Sequence, residues 1–208
     1  MARPRARRRS RRSSGQRTGV SLRIAVGLAA LGLVGLALFL RGPGEAEPQL
    51  KPDQKAFVDE VGGVAQRLRH QVGLPPSLVV AMAINETGWG RSDLAKRARN
   101  YFGIKAVVGT GTAGFVLADT REFIDGRWVT VRAPFRAYDS LDESLLDLGA
   151  FLRSNERYAA LQRGLDGPRE AAQALATAGY ASDPSWAKKL IELIDAYRLE
   201  RLDIGWLS

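Results

Sequence analysis

Residues 78–84 of this 208-residue chain read LVVAMAI, apolar at every position, directly behind Pro75-Pro76-Ser77. Proline suits the first turn of a helix, because its φ is already helical and the N–H it lacks would be unpaired there. A helix that is apolar all round has no face to offer water, so other elements must enclose it. The fold is therefore expected to be built around one central helix. The apolar run ends at Asn85-Glu86-Thr87-Gly88, where glycine supplies the left-handed residue that closes many helices. A single carboxylate is delivered at the end of the core element.

The enclosing elements are legible on either side. Phe57, Val61, Val64, Leu68 and Val72 recur at helical spacing behind Asp53, which is read as the cap. Ser92 is a cap for a short third helix. From Phe115 to Phe135 the pattern changes to β-prone runs, Thr120 to Ile124 and Arg127 to Val131, separated by Asp125-Gly126. Asp-Gly in that setting predicts a two-residue hairpin turn. The register it sets pairs Phe123 with Trp128 and Glu122 with Val129, and leaves Glu122 on one face with Thr120 and Ile124. Beyond the hairpin, Ser140-Leu141-Asp142-Glu143 is a capping box ahead of Leu145, Leu148 and Leu152. Pro168 opens a helix stopped by Gly179, and Asp183-Pro184 opens the last, with Trp186, Leu190, Ile194 and Tyr197 on it. The expected fold class is mainly α (α+β): one helical domain with one inserted β-hairpin.

Charge separates this domain from what precedes it. The net charge is +9, yet ten of the 31 basic residues and none of the 22 acidic ones lie in residues 1–41, which leaves 21 against 22 elsewhere. A near-neutral domain gives no basic surface for nucleic acid. Residues 1–23 are read as a basic cytoplasmic tail, Ile24 to Leu40 as a transmembrane signal-anchor, 41–52 as a linker, and 53–208 as the catalytic domain. The seventeen uncharged residues of the anchor span roughly 26 Å at about 1.5 Å per residue, close to a hydrocarbon core of about 30 Å. A cleaved signal peptide is the competing reading. Without cysteine, thiol chemistry and disulfides are excluded. The single histidine, His70, falls on a polar helix side and is read as a solvated residue, so neither a Ser/His/Asp triad nor a histidine metal site is expected. No metal and no cofactor is implied.

A carboxyl desolvated at the end of an apolar helix keeps its proton to higher pH, which is what protonating a glycosidic oxygen requires. Glu86 is read as that general acid. The surrounding segment 75–105, PPSLVVAMAINETGWGRSDLAKRARNYFGIK, resembles the catalytic motif of the bacterial peptidoglycan N-acetylglucosaminidases, glycoside hydrolase family 73, which includes the flagellar-type glucosaminidase domains. The hairpin TREFIDGRWVTVRAPFRAYDS, the helix ESLLDLGAFL and the block GYASDPSWAKKLIELI extend the resemblance over about residues 53 to 200.

The resemblance implies a lysozyme-like fold, Glu86 as the essential acid, Glu122 as the second carboxylate, and Tyr180 as a tyrosine in the cleft. Trp89 and Tyr101 fall where aromatics that face or support the sugar are expected, whereas Phe102 and Phe135 are read as packing. Asp119 and Asp125 are rivals of Glu122, whose other reading is a solvated strand glutamate. The chain departs from the family pattern at Thr87, where Ser is frequent, and at Trp186, where Tyr or Phe is common; neither change is expected to touch the acid. The implied reaction is hydrolysis of the β-1,4 bond between N-acetylglucosamine and N-acetylmuramic acid in membrane-proximal peptidoglycan. The alternatives are a lytic transglycosylase of the same fold and a catalytically inactive wall-binding module. The partners implied are peptidoglycan glycan strands and, through the anchor, membrane lipid, with an activating membrane protein left open.

Overall fold

The structure, a computed structural model, describes residues 50–163 and 165–205. Residues 1–23, the run Ile24 to Leu40 and residues 41–49 of the expected linker lie outside the described residues. Among the described residues no helix is long and apolar enough to cross a membrane.

Helix α1 (Pro52–Val72) begins one residue before the expected boundary. Pro52 takes the first helical position and Asp53 lies within the first turn, so Asp53 is not the cap; proline's fixed φ favours that arrangement. The five residues assigned to its apolar stripe are all buried, and His70 is exposed as expected. Helix α2 (Pro76–Thr87) is buried at every position and closes on Gly88 in the left-handed conformation. It is the central helix, with α1, α5 (Pro168–Thr177), α6 (Trp186–Ala196) and a terminal 3₁₀ turn (Leu199–Asp203) around it.

Helix α3 (Asp93–Ala98) starts where Ser92 accepts a hydrogen bond from the Ala95 N–H. Strands β1 (Phe115–Ile124) and β2 (Arg127–Arg136) then form one antiparallel hairpin in the expected register, Phe123 opposite Trp128 and Glu122 opposite Val129. Asp125 and Gly126 have φ of 50° and 78°, both left-handed, as a two-residue turn of this kind requires. Helix α4 (Leu141–Ser154) is capped by Ser140, which accepts from the Glu143 N–H. The Glu143 carboxylate reaches back to the Asp139 N–H, one residue earlier than an ideal capping box places it. Eight residues, Glu156–Arg163, form a 3₁₀ segment that the periodicity did not indicate.

Helices α1 and α4 cross closely at Gly149. A Cβ there would lie 2.8 Å from the Cα of Val72 and 3.0 Å from the Gln71 carbonyl oxygen. Both neighbours are backbone and cannot rotate away. Gly149→Ala is therefore expected to cost about 1–3 kcal/mol, despite the better helix propensity of alanine. A shifted urea midpoint at constant slope would measure it, and an unchanged midpoint would show that the crossing is loose.

Candidate active site

The turn after α2 sets the position of Glu86. Gly88, Trp89 and Gly90 have φ of 55°, 66° and 73°, three left-handed residues in succession. Only the glycines take that conformation readily, so Trp89 carries local strain. A side chain at Gly90 would also meet the Phe57 ring, 2.9 Å from the Cβ position. Thr87 holds the turn: its hydroxyl donates to the Ala83 carbonyl at 2.5 Å and accepts from the Gly90 N–H at 2.7 Å. The family's frequent Ser would offer the same hydroxyl, and Thr87 makes no hydrogen bond to the acid.

Glu86 is 5% exposed. Its Oε1 accepts two N–H bonds, from Asn85 Nδ2 at 3.1 Å and from Trp186 Nε1 at 3.0 Å, while its Oε2 is buried without a protein partner among the described residues. Burial pushes the carboxyl up from 4.5 to about 8, against the hydrogen bonds from Trp186 and Asn85, and the charges of Glu122 and Asp183 push the same way. Glu86 therefore carries a proton at neutral pH. With both N–H donors on Oε1, the proton resides on Oε2. The Trp186 contact corrects the expectation that this departure leaves the acid untouched. The indole is fully buried and reaches Glu86 across one hundred positions of sequence, which no local pattern reports.

Glu86 lines a groove of about 370 Å³. Asp93 and Arg97 of α3 form one wall and Leu117, Asp119 and Arg132 of the hairpin the other, with Phe135 also on the lining. A second cavity, about 870 Å³, lies between the hairpin tip at Phe123 to Asp125 and the α5–α6 connection, with Lys105 and Glu122 on its wall.

The reading of Glu122 as a solvated strand glutamate is corrected by its burial, 4% exposed. Lys105 Nζ lies 2.5 Å from its Oε1, and the Ser182 hydroxyl donates to Oε2 at 2.8 Å. Ser182 also accepts from the Phe123 N–H at 3.1 Å, which joins the hairpin to the α5–α6 connection. The loop carrying Lys105 is itself fixed by buried Asn100, which donates to the Ile104 and Arg136 carbonyls and accepts from the Ile104 N–H. Lys105, Ser182 and Asn85 had no distinguishing signal in a single sequence. The rivals differ from Glu122: Asp119 is exposed on the Glu86 groove, and Asp125 sits in the exposed turn.

Tyr180, expected in the cleft, is fully buried. Its hydroxyl donates to the Phe102 carbonyl at 2.9 Å and its ring lies 5.1 Å from that of Trp186. An aromatic phenol that can satisfy its hydroxyl on the backbone is a good core residue, and here Tyr180 backs the ring that touches Glu86. Trp89 and Tyr101 do not line the Glu86 groove. They are half-buried against Phe57, with ring centroids at 6.1 and 6.4 Å, and Trp89 also meets Tyr197 at 5.0 Å. Phe102 is buried as expected, and Phe135 is buried while also lining the groove. Asp183, which opens α6, accepts from the Ser185 N–H and hydroxyl and from Lys189. Burial opposes its charge, but the bonds from Lys189 and Ser185 outweigh burial and hold its carboxyl below the usual range.

Residues 62–199 match the glucosaminidase family model, described as mannosyl-glycoprotein endo-β-N-acetylglucosaminidase. The chain is 36% identical over 181 residues to the exo-glucosaminidase LytG of Bacillus subtilis, covering 83% of this chain and 62% of that one. It is also 36% identical over 156 residues to the peptidoglycan hydrolase FlgJ of Escherichia coli, covering 73% of this chain and 49% of that one. The chain thus spans less than two thirds of either curated relative. Among solved structures, the catalytic domain of the autolysin Auto from Listeria monocytogenes is similar at a TM-score of 0.61 and 31% identity, with 74% of this chain and 90% of that one covered. The fold is a lysozyme-like glycoside hydrolase fold, mainly helical with a small two-stranded sheet.

Proposed function

The chain belongs to the glucosaminidase family, and we propose from this premise that it hydrolyses the β-1,4 bond between N-acetylglucosamine and N-acetylmuramic acid in peptidoglycan. One observation carries the proposal: a buried carboxyl, pushed up to about 8, lines an open groove at the end of the central helix. Glu86 gives its proton to the glycosidic oxygen as the bond to the sugar C1 breaks, and a water molecule supplies hydroxyl to C1 and returns a proton to the site. Glu122 is the second carboxylate. Its charge, paired with Lys105, favours the positive charge that develops on the sugar ring and also favours retention of the Glu86 proton until transfer. Tyr180 and Trp89 take supporting positions behind the acid, Tyr180 through Trp186 and Trp89 through the turn. Mass spectrometry of digested sacculi tests the reaction: reducing N-acetylglucosamine ends are expected, whereas anhydromuramic ends or intact strands would contradict it.

The membrane anchor belongs to the same proposal. Ile24 to Leu40 span the membrane once, with residues 1–23 in the cytoplasm and the catalytic domain outside. The start of α1 supports a membrane-proximal site: Asp53 pairs with Arg91, and Phe57 packs on Trp89 and Tyr101, so the chain enters the domain beside the turn that follows Glu86. Residues 41–51, ahead of α1, reach at most about 36 Å at roughly 3.3 Å per residue. The substrate is accordingly the glycan strand close to the membrane face. Full-length protein recovered in membranes with residues 1–23 intact is the expected result, and a soluble form beginning near Glu47 would refute the anchor.

A further inference from the structure

Trp186 is the one aromatic side chain hydrogen-bonded to the proposed acid among the described residues, and it stands where the resemblance leads one to expect Tyr or Phe. It is fully buried, its ring lies tilted against that of Tyr180, and it opens α6, where its backbone N–H donates to the Asp183 carbonyl at 3.1 Å. We propose that Trp186 is the positioning residue for the proton donor: its indole N–H holds Glu86 Oε1, so that the transferable proton is kept on Oε2. The inference rests on the reading of Glu86 as the acid and deepens it.

The chemistry follows from the two oxygens. Before transfer, Oε1 is the carbonyl oxygen of a neutral acid and accepts from Trp186 at 3.0 Å and from Asn85 at 3.1 Å. As Oε2 releases its proton, the electron pair of the broken C1–O bond passes to the leaving oxygen, which binds that proton. Glu86 becomes a carboxylate with charge shared over both oxygens. Hydrogen bonds to an ionised acceptor are stronger than those to a neutral one, so the Trp186 bond strengthens as transfer proceeds. It therefore contributes more to the transition state than to the bound substrate. The charges that act most directly on the Glu86 carboxyl are acidic, Glu122 from β1 and Asp183 ahead of α6, each ion-paired with a lysine, Lys105 and Lys189, and the groove that Glu86 lines also carries Asp93, Arg97, Asp119 and Arg132. Glu122 and Asp183 both oppose the build-up of negative charge at Glu86 and raise its hold on the proton. The Tyr180 hydroxyl donates elsewhere, to Phe102. Trp186 and Asn85 are thus the hydrogen-bond donors on Glu86 that ease its ionisation.

Two replacements separate this role from packing. Trp186→Phe deletes the N–H and leaves a void, whereas benzothienylalanine at position 186 puts sulfur in place of the N–H and keeps the ring volume. In full-length protein in detergent micelles, the Glu86 carboxyl is followed by carbon-13 NMR and identified by its loss in Glu86→Gln. Both variants should titrate at higher pH than the parent, and both should lose about tenfold in kcat with KM within about twofold. An unchanged titration in the folded benzothienylalanine variant would overturn the proposal. The titration reads the contact without turnover, so absence of cleavage by the parent would contradict the proposed function and not this contact.

Discussion

Glu86→Gln is expected to lose at least about 10² to 10⁴ in kcat, because the amide keeps the shape of the side chain and removes the proton to be donated. The variant should also be more stable than the parent at neutral pH. Glu86 is raised in the folded state from 4.5 to about 8, so the folded protein binds a proton that the unfolded chain has already released. The parent is at its full stability below about 4.5 and loses stability as pH rises to about 8. Glutamine has no such slope. Thermal unfolding should therefore show the two proteins diverging across that interval, by an amount on the order of a few kcal/mol at its upper end. A folded Gln variant with appreciable turnover would remove Glu86 from its role, and parallel unfolding curves would show that its carboxyl is not desolvated.

Glu122→Gln should produce the second large effect. It leaves Lys105 charged and buried, its side chain 10% exposed, and breaking a buried pair from one side costs about 3–5 kcal/mol. The same variant should lower kcat about 10-fold or more, with little change in binding of a short glycan, if its charge favours the developing cation. Replacing both partners by apolar residues, Glu122→Leu with Lys105→Met, should recover much of the stability and none of the activity. That split separates the structural part of the pair from its chemistry. Near-parental rates in Glu122→Gln, with strong loss on Asp119→Asn, would transfer the role to the carboxylate that already faces the Glu86 groove.

What is legible in the sequence is local. The Asp125-Gly126 turn dictates its own register, so every pair of the hairpin followed from two residues and their flanks. The all-apolar run 78–84 required burial and so placed Glu86 at the end of the core. What could not be read was long-range. Glu122 alternates along β1 as a surface residue would, and its burial comes from Lys105 and Ser182, which belong to segments far along the chain. Tyr180 belongs to the segment that packs behind the acid, but the direction of its ring depends on Phe102 and Trp186. Trp186 itself stands out in the sequence only as a departure in residue type. Its meaning depends on α6 returning to α2, a packing decision that spacing along the sequence does not encode.

The central claim is that Glu86 works as a buried acid, and the dependence of kcat on pH addresses it most directly. With short peptidoglycan fragments at saturation, activity should be sustained through neutral pH and fall as pH rises through about 8, as the proton leaves Glu86. A kcat that keeps rising through that range would mean that the essential group acts in its ionised form, and would contradict the account.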